Sequence, residues 1–204
     1  MSLTPYIPYI EPELIPVVES IYSYNMAIDE MRIEKSKPQD SSDKLQSLIS
    51  FYYDQWYSLS NGYKIFYEEK GETNKAIVSN DIVEILDGYI DQVVVAVGEV
   101  RKCYLAGAFE HIDMWESKAL SAYRQLWYTC RDNLQPILGD DITVEKVTEL
   151  SARLISETVY DLINARLGGD SYINDYGKFV KSSDFKSREK YSIATTLKEY
   201  GINV

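Results

Sequence analysis

Apolar residues recur along most of this chain at the spacing of amphipathic helices. One stripe starts at Leu45 and advances in steps of 3, 1, 3 and 4 residues through Leu48, Ile49, Tyr52 and Trp56, which keeps its members on one face of a helix. A second stripe contains Val83, Leu86, Ile90, Val93, Val94 and Val97. The pattern predicts helices over about 13–34, 81–109, 113–134, 143–166 and 191–200. It also predicts a helix that starts near Leu45 and that Asn61-Gly62 kinks or breaks.

Prolines and glycines mark the ends of these segments. Three prolines within residues 1–12 predict an extended arm. Pro136, followed by Gly139, is expected to end the helix over 113–134. Residues 170–204 are polar and less periodic, and no repeat or linker divides the chain. The sequence therefore predicts one all-α domain of 204 residues, built as a helical bundle.

Composition narrows the classes of function. A net charge of −11 disfavours binding to nucleic acid, because the phosphate backbone would be repelled. No segment reaches the roughly 18 apolar residues that span a bilayer, and the N-terminus lacks a signal-peptide layout, so we expect a cytoplasmic protein without membrane contact. Cys103 and Cys130 predict two reduced thiols rather than a disulfide framework. With His111 as the only histidine, a histidine-dependent triad has little support.

Two acidic pairs flank a turn near the middle of the chain. Glu69 and Glu72 precede the turn, Glu84 and Asp87 follow it, and each pair has the i, i+3 spacing that shares one helix face. A turn centred on Ser79-Asn80 predicts an antiparallel helical hairpin. On this interpretation Glu72 lies at the depth of Glu84, Glu69 lies at the depth of Asp87, and the four carboxylates form one cluster.

Such a cluster has a specific chemical requirement. Four carboxylates at close range repel one another unless a cation neutralises them. Oxygen ligands alone suit Mg²⁺ or Mn²⁺ rather than zinc, and Mg²⁺ commonly completes its coordination with substrate phosphates. The alternative is simple exposure, because acids at this spacing on a helix usually face water.

The residues around the turn resemble those of a known family. The segment EEKGE covers residues 68–72, and the segment DIVEILDGYIDQVVVAVG covers residues 81–98. Together they resemble the MazG-like branch of the all-α NTP pyrophosphatases, which carry an ExxE pair on one helix and an ExxD pair on the next. A further acid of the family's second helix falls at Asp91. The segment DYGKFVKSSDF over 175–185 resembles the ending of phage-type members.

The resemblance implies a nucleotide pyrophosphohydrolase that converts a nucleoside triphosphate and water to the monophosphate and pyrophosphate. Mg²⁺, or alternatively Mn²⁺, would be held by the acids, and one carboxylate would accept the proton of the attacking water. The implied metal ligands are Glu69, Glu72, Glu84, Asp87 and Asp91, with Glu69 also as the catalytic base. The candidates for binding the polyphosphate or positioning the ligand are Lys75, Arg101, Lys178, Lys181 and Asn164.

The resemblance also implies an oligomer, and one competing hypothesis stands beside it. Members of the family build sites between bundles, so we expect a homodimer or a higher homo-oligomer. The competing hypothesis is a non-catalytic interaction or regulatory protein that has kept the helical scaffold. Four intact acids favour the enzyme, because a structural role alone does not need them.

Overall fold

The computed structural model describes residues 12–36, 61–165 and 185–204, together with residues 46, 50, 172–173 and 179–180. Six α-helices lie in these ranges: Ile15–Ser36 (α1), Asn61–Ser79 (α2), Ile82–Ala106 (α3), Ile112–Leu138 (α4), Val144–Ala165 (α5) and Phe185–Glu199 (α6). Single 3₁₀ turns cover Pro12–Leu14, Phe109–His111 and Gly139–Asp141. Two short antiparallel strands, Tyr172–Ile173 (β1) and Phe179–Val180 (β2), pair with each other. The all-α prediction is confirmed.

Helix α3 is the central element of the bundle. It contacts α2, α4, α1, α6 and α5, most extensively α4 and α2. Its apolar stripe is fully buried at Leu86, Ile90, Val93, Val97 and Val100. This burial removes apolar surface from water, which is the main favourable term in folding. The helix that carries three of the five predicted acids is therefore held from several sides.

The predicted hairpin of α2 and α3 is present, with a very short connection. Asn80 takes a left-handed backbone conformation (φ 55°), which asparagine tolerates better than most residues. Asp81 is the N-cap of α3, and its Oδ1 accepts a hydrogen bond of 3.2 Å from the backbone N–H of Glu84. The turn is thus centred on Asn80-Asp81, slightly later in the chain than expected.

Other boundaries differ from the sequence-based expectations. Helix α4 does not end before Pro136 but continues through it to Leu138, so the cost of a proline that falls in the last turn does not stop this helix. The last helix begins at Phe185 rather than near residue 191. The stripe from Leu45 to Trp56 and residues 1–11 of the predicted arm lie outside the described residues.

The cysteines behave as predicted, as free and buried thiols. Burial raises the pKa of both Cys103 and Cys130 to about 12. At neutral pH both are therefore protonated side chains of the core. Within the described part of the chain, no helix is both long and apolar enough to cross a membrane.

Candidate metal and substrate site

Two close contacts fix the register between α2 and α3. A Cβ added to Gly88 would lie 3.2 Å from the Cα and 3.0 Å from the Cβ of Thr73, and one added to Gly62 would overlap the carboxylate of Glu99. Gly62 precedes Thr73 by eleven residues, and Glu99 follows Gly88 by eleven residues. Both contacts therefore describe one antiparallel alignment, in which residue 73 lies opposite residue 88.

This register determines which acids of α2 and α3 lie at the same height along the helix axes, and these pairs differ from the expected ones. Glu69 lies one residue from the level of Asp91, and Glu72 lies two residues from the level of Asp87, or about 1.5 and 3 Å along the axis. Glu84 lies about 7.5 Å closer to the turn than Glu72. The expected depth matches, Glu72 with Glu84 and Glu69 with Asp87, are therefore wrong. The close approach of Gly88 to Thr73 marks the alignment that the two helices take.

The hairpin has two chemically different edges. On one edge, Lys70 and Asn74 of α2 and Tyr89 of α3 line a common pocket with α4. The two helices meet along a line through Thr73 and Gly88. At 3.6 residues per turn, the opposite edge carries the side chains of Glu69, Glu72, Asp87 and Asp91. We call these four residues the acidic edge. Glu72 is exposed, and the other three are half-buried.

Helix α6 adds charged residues to the acidic edge. Carboxylate oxygens of Asp87, Asp91 and Glu189 all lie within 4.8 Å of one another, the one such group of acids among the described residues. Glu189 is only 2% exposed. The neighbouring Lys190 forms a salt bridge with Glu84. Asp87 and Asp91 are therefore grouped with Glu189, which the acidic pairs did not indicate. Glu84 is paired with the ammonium of Lys190 instead.

Contacts to α5 hold α6 in this place. The hydroxyl of Ser192 hydrogen-bonds to Asp161, and Arg153 forms a salt bridge with Glu199. A signal for Glu189 was present in the sequence, because it stands at spacing four between Phe185 and Ile193. Phe185 and Ile193 are buried, and a residue midway between them lies on the same helix face.

The predicted substrate-binding residues are dispersed. Lys75 is exposed on α2, two residues from Thr73 and therefore on the side of the helix turned away from α3. Asn164 is half-buried near the end of α5. Lys178 and Lys181 lie outside the described residues. Their roles stay predictions.

Arg101 cannot be the predicted phosphate ligand while the bundle is folded. Its side chain is 3% exposed and pairs with Asp29 of α1, whose side chain is 2% exposed. Charges buried this deeply are held by their partner and are out of reach of a substrate. Arg101 instead joins α1 to α3.

Arg101→Met is therefore expected to destabilise the protein by about 3 kcal/mol or more, because it removes the guanidinium that pairs with the buried Asp29 carboxylate. Chemical denaturation followed by circular dichroism measures this change. Arg131→Met is the matched control, because Arg131 is half-buried at the surface, where it pairs with its exposed neighbour Asp132 and lies over the rings of Trp127 and Tyr128. Its expected cost is about 1 kcal/mol. Equal stabilities of the two variants would contradict the structural role.

The donor set of the acidic edge suits a hard divalent cation. It offers carboxylate oxygens alone, which favour Mg²⁺ or Mn²⁺ over metals that prefer sulfur or nitrogen. Asp87, Asp91 and Glu189 come close enough together to share an ion, and Glu69 lies almost level with Asp91 across the hairpin. The residues present thus fit the metal that the family resemblance implies.

No family model, no curated protein and no solved structure matches this chain in comparisons with known proteins.

Proposed function

We propose that this protein is a Mg²⁺-dependent nucleotide pyrophosphohydrolase, which converts a nucleoside or deoxynucleoside triphosphate and water to the monophosphate and pyrophosphate. The observation that carries the proposal is the acidic edge, with Glu69 and Glu72 at nearly the same levels as Asp91 and Asp87. This arrangement supports joint binding of a divalent cation by the ExxE pair and the acids that follow the turn.

In the proposed reaction the acids divide into two groups. Asp87, Asp91 and Glu189 would hold the cation from α3 and α6, and Glu69 and Glu72 would contribute from the same edge of the hairpin on α2. A bound Mg²⁺ would supply positive charge for the phosphates and help to activate the attacking water. Glu69 accepts the proton of the attacking water, since a half-buried carboxylate at this position can act as a general base.

Substrate charge also requires cations from the protein. Lys190 is the candidate that the described residues offer, because it already contacts Glu84 beside the acids. Exchange of this salt bridge for a phosphate contact would place a cation over the polyphosphate. Lys178 and Lys181, from the segment that resembles the family's ending, remain further candidates.

The decisive experiment is a substrate panel. The purified protein is incubated with each NTP and dNTP in Mg²⁺, Mn²⁺ or EDTA, and pyrophosphate and orthophosphate are quantified separately. We expect pyrophosphate with at least one substrate in Mg²⁺ and none in EDTA. Orthophosphate alone would move cleavage to another bond. If no substrate gives a metal-dependent product, the enzyme proposal is wrong and the non-catalytic interaction or regulatory protein is the favoured hypothesis.

A homodimer belongs to the same proposal. Light scattering after size-exclusion chromatography, run beside the activity assay, measures the mass of the active species.

A further inference from the structure

The second edge of the hairpin carries a pocket of about 470 Å³ between α2, α3 and α4. This volume falls in the range of small-molecule sites, about 300–1,000 Å³. Its lining includes Lys70, Asn74, Tyr89, Gln92, Lys118 and Gln125. The helical phase of the hairpin places this pocket on the opposite side from the acidic edge.

The charge of the pocket is opposite to that of the protein. Lys70 and Lys118 are its charged lining residues, and none of the lining residues is acidic, although the chain has a net charge of −11. Within the described part of the chain, neither lysine has an acidic partner at ion-pair distance. A concave surface with two cations and no anion favours an anionic ligand.

Aromatic rings hold one of these cations in a fixed position. The ammonium of Lys118 lies 4.9 Å from the ring centroids of both Phe66 and Tyr67, and it donates a hydrogen bond of 3.3 Å to the Tyr67 hydroxyl. Cation–π contacts of this kind reduce the freedom of the lysine side chain. A ligand that binds the Lys118 ammonium therefore causes a smaller loss of side-chain entropy, because the fold already restricts this lysine.

The remaining walls offer hydrogen bonds and a flat ring. Ser117, Ser121 and Gln125 follow one another at spacing four and form a polar row along α4. Gln92 of α3 lies at the seam with α2, where its amide donates to Thr73 Oγ1 at 2.8 Å. Half-buried Tyr89 contributes an aromatic ring, and burial raises the pKa of its phenol, which therefore stays neutral.

We propose that this pocket binds a nucleoside monophosphate without any metal. Lys70 and Lys118 would bind the phosphate, the ring of Tyr89 would contact the base, and the amides of Asn74 and Gln125 would bond to its polar edge. Charge, aromatic surface and amides are together the chemistry that a phosphate joined to a planar polar heterocycle requires. The inference stands apart from the proposed hydrolysis, because no lining residue belongs to the acidic edge.

Isothermal titration calorimetry in EDTA tests this proposal, because EDTA removes any metal-dependent binding at the acidic edge. The probes are AMP, GMP, CMP, UMP, the four nucleosides and inorganic phosphate. At least one monophosphate is expected to bind at least tenfold more tightly than its nucleoside and than phosphate. Lys70→Met and Gln125→Ala should each weaken that binding about tenfold, since each removes a polar contact to the ligand.

Lys64→Met is the matched control, because Lys64 lies on the same helix, is 71% exposed and does not line the pocket. It should bind as the unchanged protein does. The proposal is overturned if no monophosphate binds in EDTA at millimolar concentration, if both pocket variants bind normally, or if phosphate alone binds as tightly as the nucleotide. Pyrophosphate release in Mg²⁺, measured on the same samples, shows separately whether the proposed enzyme function holds.

Discussion

Asp91→Asn is expected to lower metal-dependent pyrophosphate release at least about 100-fold. Loss of a residue that only orients a metal ligand typically costs 10- to 100-fold, so loss of a ligand should reach or exceed the upper figure. The substitution keeps the volume of the side chain and removes its charge. Titration with Mn²⁺ followed by electron paramagnetic resonance gives an independent readout, in which Asp91→Asn should bind the ion more weakly.

Glu84→Gln distinguishes the two ligand sets that the residues allow. Spacing in the sequence makes Glu84 a ligand equal to Asp87, whereas the register moves it towards the turn and pairs it with Lys190. We therefore expect Glu84→Gln to retain activity within about tenfold and to bind Mn²⁺ nearly normally, since it removes no ligand of the proposed set.

The matched control is Glu68→Gln, which changes the same charge beside Glu69 at a side chain that is 51% exposed. It should leave both activity and Mn²⁺ binding unchanged. If Glu84→Gln loses as much activity and Mn²⁺ affinity as Asp91→Asn, the ligand set expected from the sequence alone is the correct one.

Gly88→Ala is expected to destabilise the protein by about 1–3 kcal/mol, although alanine is the better helix former. The added methyl would lie 3.0 Å from the Cβ of Thr73 and closer still to its hydroxyl, where α2 and α3 make their close approach. The hairpin can accept it only by separating the helices or rotating Thr73 away from Gln92. Urea denaturation at constant pH measures the loss.

Gly71→Ala provides the opposite outcome within the same hairpin. A Cβ at Gly71 meets no atom within 4 Å, so the variant should be more stable by about 0.5–1 kcal/mol through helix propensity alone. The contrast in sign is the test. A gain in stability for both variants would show that the helices do not approach closely at Gly88. The register derived from that contact would then be wrong.

The sequence predicts the helices well where apolar spacing is long and regular. The stripe from Val83 to Val97 identifies α3 because its members lie on the side buried against the rest of the bundle. The hairpin is likewise predictable, since a turn signal separates two periodic segments. Pro136 shows where this reasoning fails, because α4 continues through it for two more residues despite the cost of proline inside a helix.

The alignment of the acids was predictable to within about two residues from the turn alone. Equal counts on either side of a centre at Ser79-Asn80 place Glu72 opposite Asp87 and Glu69 opposite Ile90, so the expected matches with Glu84 and Asp87 did not follow from that centre. The close approach of Gly88 to Thr73 fixes the final stagger. Glu189 is harder still, since its place beside the acids depends on the docking of a helix distant in sequence.

The candidate metal site combines the acidic edge with Glu189, which lies far from it along the chain. Glu69 and Asp91 belong to one continuous hairpin, whereas Glu189 joins them from nearly a hundred residues further on. Contacts between near neighbours in sequence generally form faster than distant ones, because less loop entropy must be lost. We therefore expect the hairpin acids to assemble early during folding, and Asp87 and Asp91 to become half-buried when the last helix brings Glu189 beside them.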